Sequence, residues 1–229
     1  MDDIFARMDN EKRFSFDKSY IDDLYFDYMT RDAVHGERLE EFKNYINNKN
    51  VLIICPGKSS KEEKEKIIDF SRKSSVVTIS VNFEYLEDIT DFIFLSNFRR
   101  YRELDKVYYK KCIVTSNIPD VGSYLQTDYN KLLNDVDFVR DNSCLMLIKL
   151  LADLGVKNIY LAGLDGYSTN ISQNFIDNTM SFHTNRSILQ AMNKGINKVL
   201  SMYKDKINIK FLTKQYYVTL YNETNEKGV

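Results

Sequence analysis

Residues 141–168 constrain the fold most, because they predict a helix, a helix stop, a buried strand and a glycine-rich turn in direct succession. Apolar Leu145 and Ile148 recur at helical spacing, and Gly155 follows the last apolar position, where a left-handed C-cap belongs. Residues 158–164 then form a short apolar run, as expected of a parallel strand that is covered on both faces. The succession predicts one helix–strand unit of an α/β protein.

The rest of the chain repeats this alternation of apolar strand runs and helical patterns. Strands are predicted at 51–55, 76–82, 91–97, 111–117 and 208–213. Helices are predicted at about 61–73, near residue 130 and at about 185–203. Because this alternation is typical of parallel sheets, we expect an α/β fold with a Rossmann-like, mainly parallel sheet and helices on both faces.

The first part of the chain has a different pattern. Residues 1–48 carry two helical stripes of aromatic and apolar side chains, divided near Gly36, and predict a helical N-terminal extension. This extension is a candidate linker to an upstream or missing domain. We expect residues 49–222 to form the Rossmann-like domain, which would bind a nucleotide or a nucleotide sugar, and residues 223–229 to form a flexible tail.

Composition excludes several classes of protein. The net charge is −1 with 32 basic and 33 acidic side chains, so the chain lacks the basic field that nucleic-acid binding needs. No apolar run is long enough to span a bilayer, and the acidic N-terminus does not resemble a signal peptide. We therefore expect a cytoplasmic protein. Cys55, Cys112 and Cys144 have no metal-ligand spacing and are predicted to be buried thiols, with no metal site.

The turn after the first predicted strand is a candidate ligand loop. Gly57, Lys58 and Ser59 lead into a helix, whose N-terminal N–H groups can bind a phosphate. An ATPase-type P-loop would require a glycine at position 52, which is leucine here. The alternative is that Ser59 belongs to a helix cap, and this role is compatible with ligand binding.

Polar side chains also follow other predicted strands. Asn82 and Asn97 end two successive strands, and Asp165 and Tyr167 follow the strand at 158–164. Ligands of open α/β sheets bind beyond the carboxyl ends of strands, so these four residues are candidate ligand contacts. The alternative is that they only form turns, and for Asp165 this means shaping its loop.

His183 precedes the last long predicted helix and is a candidate general base. A helix N-terminus disfavours the imidazolium cation, so a histidine at this place tends to be neutral and able to accept a proton. The alternative is that His183 is a structural or surface residue.

These motifs, in this order, resemble the bacterial lipooligosaccharide sialyltransferases, glycosyltransferase family 42. The resemblance covers about residues 50–213 and is carried by the segments PGKS, SVNFEY, FIFLSN, RDNSCLMLIKLLADLGVKNIYLAGLDGY and SFHTNRSILQAMNKGINKV. It implies that Gly57, Ser59 and Asn82 contact the nucleotide and that Asn142 and Ser143 lie near the sugar or phosphate. Tyr167 would contact the phosphate, and His183 would be the general base.

The implied activity is an inverting, metal-independent glycosyl transfer in bacterial surface-glycan synthesis, without a cofactor. The donor would be a nucleotide sugar of the cytidine monophosphate type, and the acceptor a glycan. Pro56 and Lys58 replace the asparagine and proline of the family's loop, and Asn142 replaces a threonine. Proteins similar to 6-hydroxymethylpterin diphosphokinase share the loop and the Gly-x-Asp strand end, so another nucleotide is an open alternative.

A second resemblance concerns the segment RFSFDKSYIDDLYFDYM followed by VLIICPGKS. It is similar to the C-terminal part of certain bacterial 4-hydroxy-2-oxovalerate aldolase-like proteins. The implied alternative is a non-catalytic ligand-binding or assembly domain, whose partner is an aldolase domain or a second copy of the chain. A nucleotide phosphotransferase is a third class, but it would need a second carboxylate near Asp165, and none is evident.

Overall fold

The computed structural model describes residues 23, 26, 30–33, 37–73, 75–119, 122–170, 174–176 and 186–218. Its centre is a seven-stranded parallel sheet in the order β5-β4-β3-β2-β1-β6-β7. The strands are β1 (Asn50–Ile54), β2 (Val76–Val81), β3 (Phe92–Leu95), β4 (Cys112–Thr115), β5 (Leu125–Thr127), β6 (Asn158–Ala162) and β7 (Asn208–Phe211). The prediction of a Rossmann-like α/β fold is confirmed.

Of the helices for which the structure gives both ends, the first precedes β1 and the others connect the strands. They are α1 (Arg38–Ile46), α2 (Lys58–Glu62), α3 (Lys64–Ser71), α4 (Phe98–Glu103), α5 (Tyr129–Leu132), α6 (Ser143–Asp153) and α7 (Arg186–Tyr203), with a 3₁₀ helix at Lys106–Lys111. No helix in the described part of the chain is both long enough and apolar enough to cross a membrane.

The sheet buries apolar side chains on both faces, which is why its strands are almost continuously hydrophobic. Val51 and Ile53 of β1 contribute to the large core, which also contains buried side chains of α1, α6 and α7. Leu52 and Ile54 point to the other face, where they pack with Ile67 of α3. Because successive side chains of a strand point to opposite faces, β1 contributes apolar side chains to the cores on both faces of the sheet.

Helix α6 shows how local sequence determines a helix and its ends. The Asn142 side chain accepts a hydrogen bond from the Leu145 N–H at 3.2 Å, so Asn142 is the N-cap. Gly155 follows the helix with φ of 85°, the left-handed conformation predicted for it. Between these ends, eight residues of α6 are buried, which places the helix firmly in the large core.

The predicted N-terminal extension is represented mainly by α1. Phe42 and Ile46 of α1 are buried in the same core as the sheet. Phe42 also packs edge-to-face against Phe92 of β3, with ring centroids 5.2 Å apart. Helix α1 is therefore packed on the sheet. The predicted tail at 223–229 and most of the predicted first helix lie outside the described residues.

Candidate functional site

The order of the strands creates a crevice between β1 and β6. The chain proceeds from β1 to β5 on one side of β1 and places β6 and β7 on the other side. The connections leaving β1 and β6 therefore diverge, and this is the position at which open α/β sheets bind ligands. A cavity of about 90 Å³ lies here, lined by residues that follow both strands and by the start of α6.

The side of the crevice next to α2 is closed by an internal carboxylate. Asp165 accepts a hydrogen bond from the Ser59 backbone N–H at 2.8 Å and a second one from the Ser59 hydroxyl. The same hydroxyl lies 2.8 Å from the Thr213 hydroxyl, which accepts a hydrogen bond from the Gly163 N–H at 3.0 Å. Asp165 thus binds the N-terminus of α2, where the sequence predicted a ligand phosphate. We call these residues, with Gly57, the sealed side.

Burial determines the electrostatics of Asp165, which is only 2% exposed. Removal from water raises the pKa of the carboxyl group, whereas its two hydrogen bonds from Ser59 act in the opposite direction. Both carboxylate oxygens are engaged by Ser59. Asp165 therefore holds the turn after β6 against the start of α2.

Two glycines bring the sealed side into backbone contact. The Gly57 N–H donates to the Gly163 carbonyl at 3.0 Å. A Cβ on Gly57 would lie 2.2 Å from that carbonyl oxygen, and a Cβ on Gly163 would lie 2.1 Å from the Cys55 oxygen. Gly57 is thus required for the close approach of two loops, a reason that does not involve a ligand.

The side of the crevice next to α6 carries hydrogen-bonding side chains, of which Asn82 and Ser143 line the cavity and Ser96 lies behind them. The Asn82 amide donates to the Ser143 hydroxyl at 3.1 Å, and that hydroxyl lies 2.6 Å from the Ser96 hydroxyl. Asn82 has φ of 69°, which orients it away from the β2 strand direction. Its Oδ1 atom is buried and has no hydrogen-bond partner within the described parts of the chain. A ligand donor placed in the cavity would satisfy it.

Tyr167 completes this side of the crevice. Burial is the main cause that raises the pKa of its phenol well above the ordinary value, and a side-chain hydrogen bond with Asn142 acts against the rise. The phenol is therefore a neutral hydrogen-bonding group at physiological pH. Asn82, Ser96, Asn142, Ser143 and Tyr167 form what we call the open side.

A short segment after Tyr167 forms part of the cavity wall. Asn174 accepts from the Ser168 N–H at 2.5 Å and donates to the Ser168 carbonyl at 2.8 Å. The Ile176 N–H donates to the Pro56 carbonyl at 2.9 Å, so this segment contacts the loop after β1. Phe175 lies beside Tyr167, with ring centroids 6.3 Å apart. These wall residues were not predicted, because the segment has no periodic pattern.

Six of the candidate residues from the sequence line the cavity, three lie elsewhere, and one lies outside the described residues. The cavity is lined by Gly57, Asn82, Asn142, Ser143, Asp165 and Tyr167. Ser59 is fully buried beneath Asp165, and Lys58 lies 3.6 Å from Glu62 in a partly exposed ion pair. Asn97 accepts from the Arg100 N–H at 3.2 Å and is the N-cap of α4. His183 lies outside the described residues.

The three cysteines are buried thiols, as predicted. Cys55 and Cys144 both line the cavity. The neighbouring Cys144 thiol is the largest cause that raises the pKa of Cys55, and burial adds to it. No group of three or more His, Cys, Asp or Glu side chains in the described ranges could hold a metal ion.

Comparison with known proteins yields no match to this chain, whether with family models, with curated proteins or with solved structures.

Proposed function

We propose that this chain binds a nucleotide-activated sugar of the cytidine monophosphate type in the crevice and transfers the sugar to a hydroxyl acceptor. The observation that carries the proposal is the convergence of Asn82, Asn142, Ser143 and Tyr167 on one cavity. These side chains come from three separate segments, and they offer amide, hydroxyl and phenol groups. Such neutral donors and acceptors suit a base, a ribose and a phosphate.

The sealed side and the open side make different contributions to this proposal. At the N-terminus of α2 the Ser59 N–H already donates to Asp165, so this N–H is not available to a ligand anion. The ligand phosphate would lie at the open side, near Tyr167 and the first residues of α6, whose dipole favours negative charge. Pockets for drug-sized ligands measure about 300–1,000 Å³, so the cavity would hold one part of the donor and the rest would extend outward.

The proposed reaction requires a base and a stabilised leaving group. The acceptor hydroxyl oxygen attacks the anomeric carbon and inverts it, while the bond from that carbon to the phosphate oxygen breaks. His183, the candidate base from the sequence, takes the hydroxyl proton. Tyr167 donates a hydrogen bond to the departing phosphate and stabilises its charge. The released product is cytidine monophosphate, and no metal takes part.

Thermal shift and transfer assays test the proposal together. Cytidine monophosphate and a cytidine monophosphate sugar should each raise the melting temperature, because a ligand that binds only the folded state stabilises it. Ser143→Ala should reduce this shift, whereas Lys198→Ala, on the exposed surface of α7, should not. His183→Ala should abolish transfer and retain binding. Absence of any shift with cytidine and uridine compounds would overturn the proposal.

A second candidate function is ligand binding without catalysis, in a domain that accompanies an aldolase-like enzyme. One observation favours it: among the described residues that line the cavity, Asp165 is the only carboxylate, and Ser59 engages both of its oxygens. This candidate predicts binding of a nucleotide without transfer or hydrolysis of any donor tested. Transfer that is lost in His183→Ala would exclude it.

A further inference from the structure

One side chain of α7 holds the backbone of Tyr167 at both of its hydrogen-bonding groups. The Tyr167 N–H donates to Asn193 Oδ1 at 2.8 Å, and Asn193 Nδ2 donates to the Tyr167 carbonyl at 2.9 Å. A primary amide has the donor and the acceptor that this pairing needs. The two bonds fix the peptide groups on either side of the Tyr167 Cα, and so they fix the direction in which its side chain leaves the backbone.

The surroundings leave little room for an alternative position of this turn. Gly166 has φ of 80°, and a Cβ at that position would lie 2.7 Å from Asn193 Oδ1. On the preceding residue, the Asp165 carbonyl accepts a hydrogen bond from the Tyr217 N–H at 2.8 Å. The turn is therefore packed against α7 on one side and against the segment after β7 on the other.

Helix α7 is itself a fixed support. Ile196, Val199 and Leu200 are buried in the large core, each at most 1% exposed. Asn193 lies about one helical turn before Ile196 and is itself only partly buried. Asn193 thus connects the turn that carries Tyr167 to a helix that is packed in the core.

We propose that Asn193 is the positioning residue that sets the Tyr167 phenol at the open side of the crevice for ligand binding. This inference rests on the proposed function, because it takes Tyr167 as a ligand contact. Asn193 does not line the cavity with Tyr167, so it acts through the Tyr167 backbone.

We call the two hydrogen bonds between Asn193 and the Tyr167 backbone the clamp. Two substitutions at position 193 test its two bonds separately. Asn193→Ala removes both hydrogen bonds. Asn193→Asp keeps an acceptor for the Tyr167 N–H but loses the donor and places a negative charge opposite the Tyr167 carbonyl. Gln190→Ala is the matched control, because it removes an exposed amide from the same helix. Val199→Ala is a stability control that removes buried methyl groups away from the turn.

Amide hydrogen exchange of the peptide that contains residues 163–168 tests the clamp without any ligand. We expect faster exchange in Asn193→Ala than in the unmodified chain and no change in Gln190→Ala. In Asn193→Asp the Tyr167 amide should stay protected, because the aspartate keeps the acceptor for this N–H. The affinity for cytidine monophosphate should fall roughly tenfold in Asn193→Ala. This is about the contribution of one hydrogen bond between the Tyr167 phenol and the ligand. Val199→Ala should lower the melting temperature and retain the affinity.

The outcomes for the clamp and for the proposed function are distinguishable. If the unmodified chain binds cytidine monophosphate and Asn193→Ala binds it equally well, the positioning role is wrong and the proposed function stands. If the unmodified chain binds no nucleotide, the proposed function fails, and unchanged exchange at residues 163–168 would overturn the clamp separately. Should Asn193→Ala not fold, the loss of affinity in Asn193→Asp provides the same decision.

Discussion

Two helices, α2 and α6, begin at the crevice between β1 and β6, and their N-termini have different partners. The N-terminus of α2 is bound by Asp165, a residue 106 positions away from Ser59 in the chain. The N-terminus of α6 is capped locally by Asn142, and the cavity lies against its first residues. A helix N-terminus at a switch point is therefore not in itself a ligand site, because the protein's own carboxylate can bind there.

The largest effect should come from a glycine of the sealed side. Gly163 has φ of 69°, and a Cβ there would lie 2.1 Å from a backbone oxygen. Gly163→Ala should therefore lower the free energy of unfolding by about 3–5 kcal/mol, from left-handed strain and steric overlap together. Urea denaturation measures this change.

Gly155→Ala is the control for the backbone strain alone. Gly155 has φ of 85°, but a Cβ there would meet no atom within 4 Å. We expect a loss of about 1–2 kcal/mol for this variant. Equal losses for the two alanines would show that the loops after β1 and β6 are not in close contact.

The second effect concerns the carboxylate that seals α2. Asp165→Ala leaves the fully buried Ser59 N–H without its acceptor and removes the carboxylate that accepts from the Ser59 hydroxyl. The free energy of unfolding should fall by about 2–4 kcal/mol, as expected when buried donors to a charged group lose their partner. Urea denaturation at neutral pH measures it. A loss below that of Gly155→Ala would contradict a structural role for Asp165.

Asp165→Asn, of nearly the same shape, tests the electrostatic part by its pH dependence. Burial raises the pKa of Asp165 above its ordinary value of 3.8, so the folded state binds the proton more tightly than the unfolded state does. The stability that this proton linkage contributes is fully present below 3.8 and is lost as the pH rises through the raised pKa. The advantage of the wild type over Asp165→Asn should therefore shrink across that window.

The sequence predicts the strands of this protein better than it predicts the contacts between residues that are far apart in the chain. Apolar runs predicted six strands at 51–55, 76–82, 91–97, 111–117, 158–164 and 208–213, and the structure has a strand that overlaps each of these ranges. The seventh strand, β5, was not predicted, because it is only three residues long and its sequence, Leu-Gln-Thr, has no apolar run. Its place in the sheet depends on pairing with β4.

The candidate site shows the same limit of local patterns. The position of Tyr167 after a buried strand was evident, because chain direction and sheet edge follow from the strand itself. The role of Asn193 was not, since an amide on a long amphipathic helix looks like a solvent-facing residue. Its two bonds to Tyr167 join residues 26 positions apart, and only the folded chain brings them together.

The smallest change in stability, and the sharpest test of the open side, should come from Asn82→Gly. Asn82 has φ of 69°, a conformation that glycine adopts more readily, so the strain relieved offsets the lost bond to Ser143. The free energy of unfolding should change by no more than about 0.5–1 kcal/mol, while the affinity for cytidine monophosphate should fall roughly tenfold. Asn48→Gly is the matched control, because Asn48 is an exposed asparagine with φ of 57° before β1. If both variants bind the nucleotide equally well, the open side is not where the ligand lies, and the contrast between the two helix N-termini loses its functional meaning.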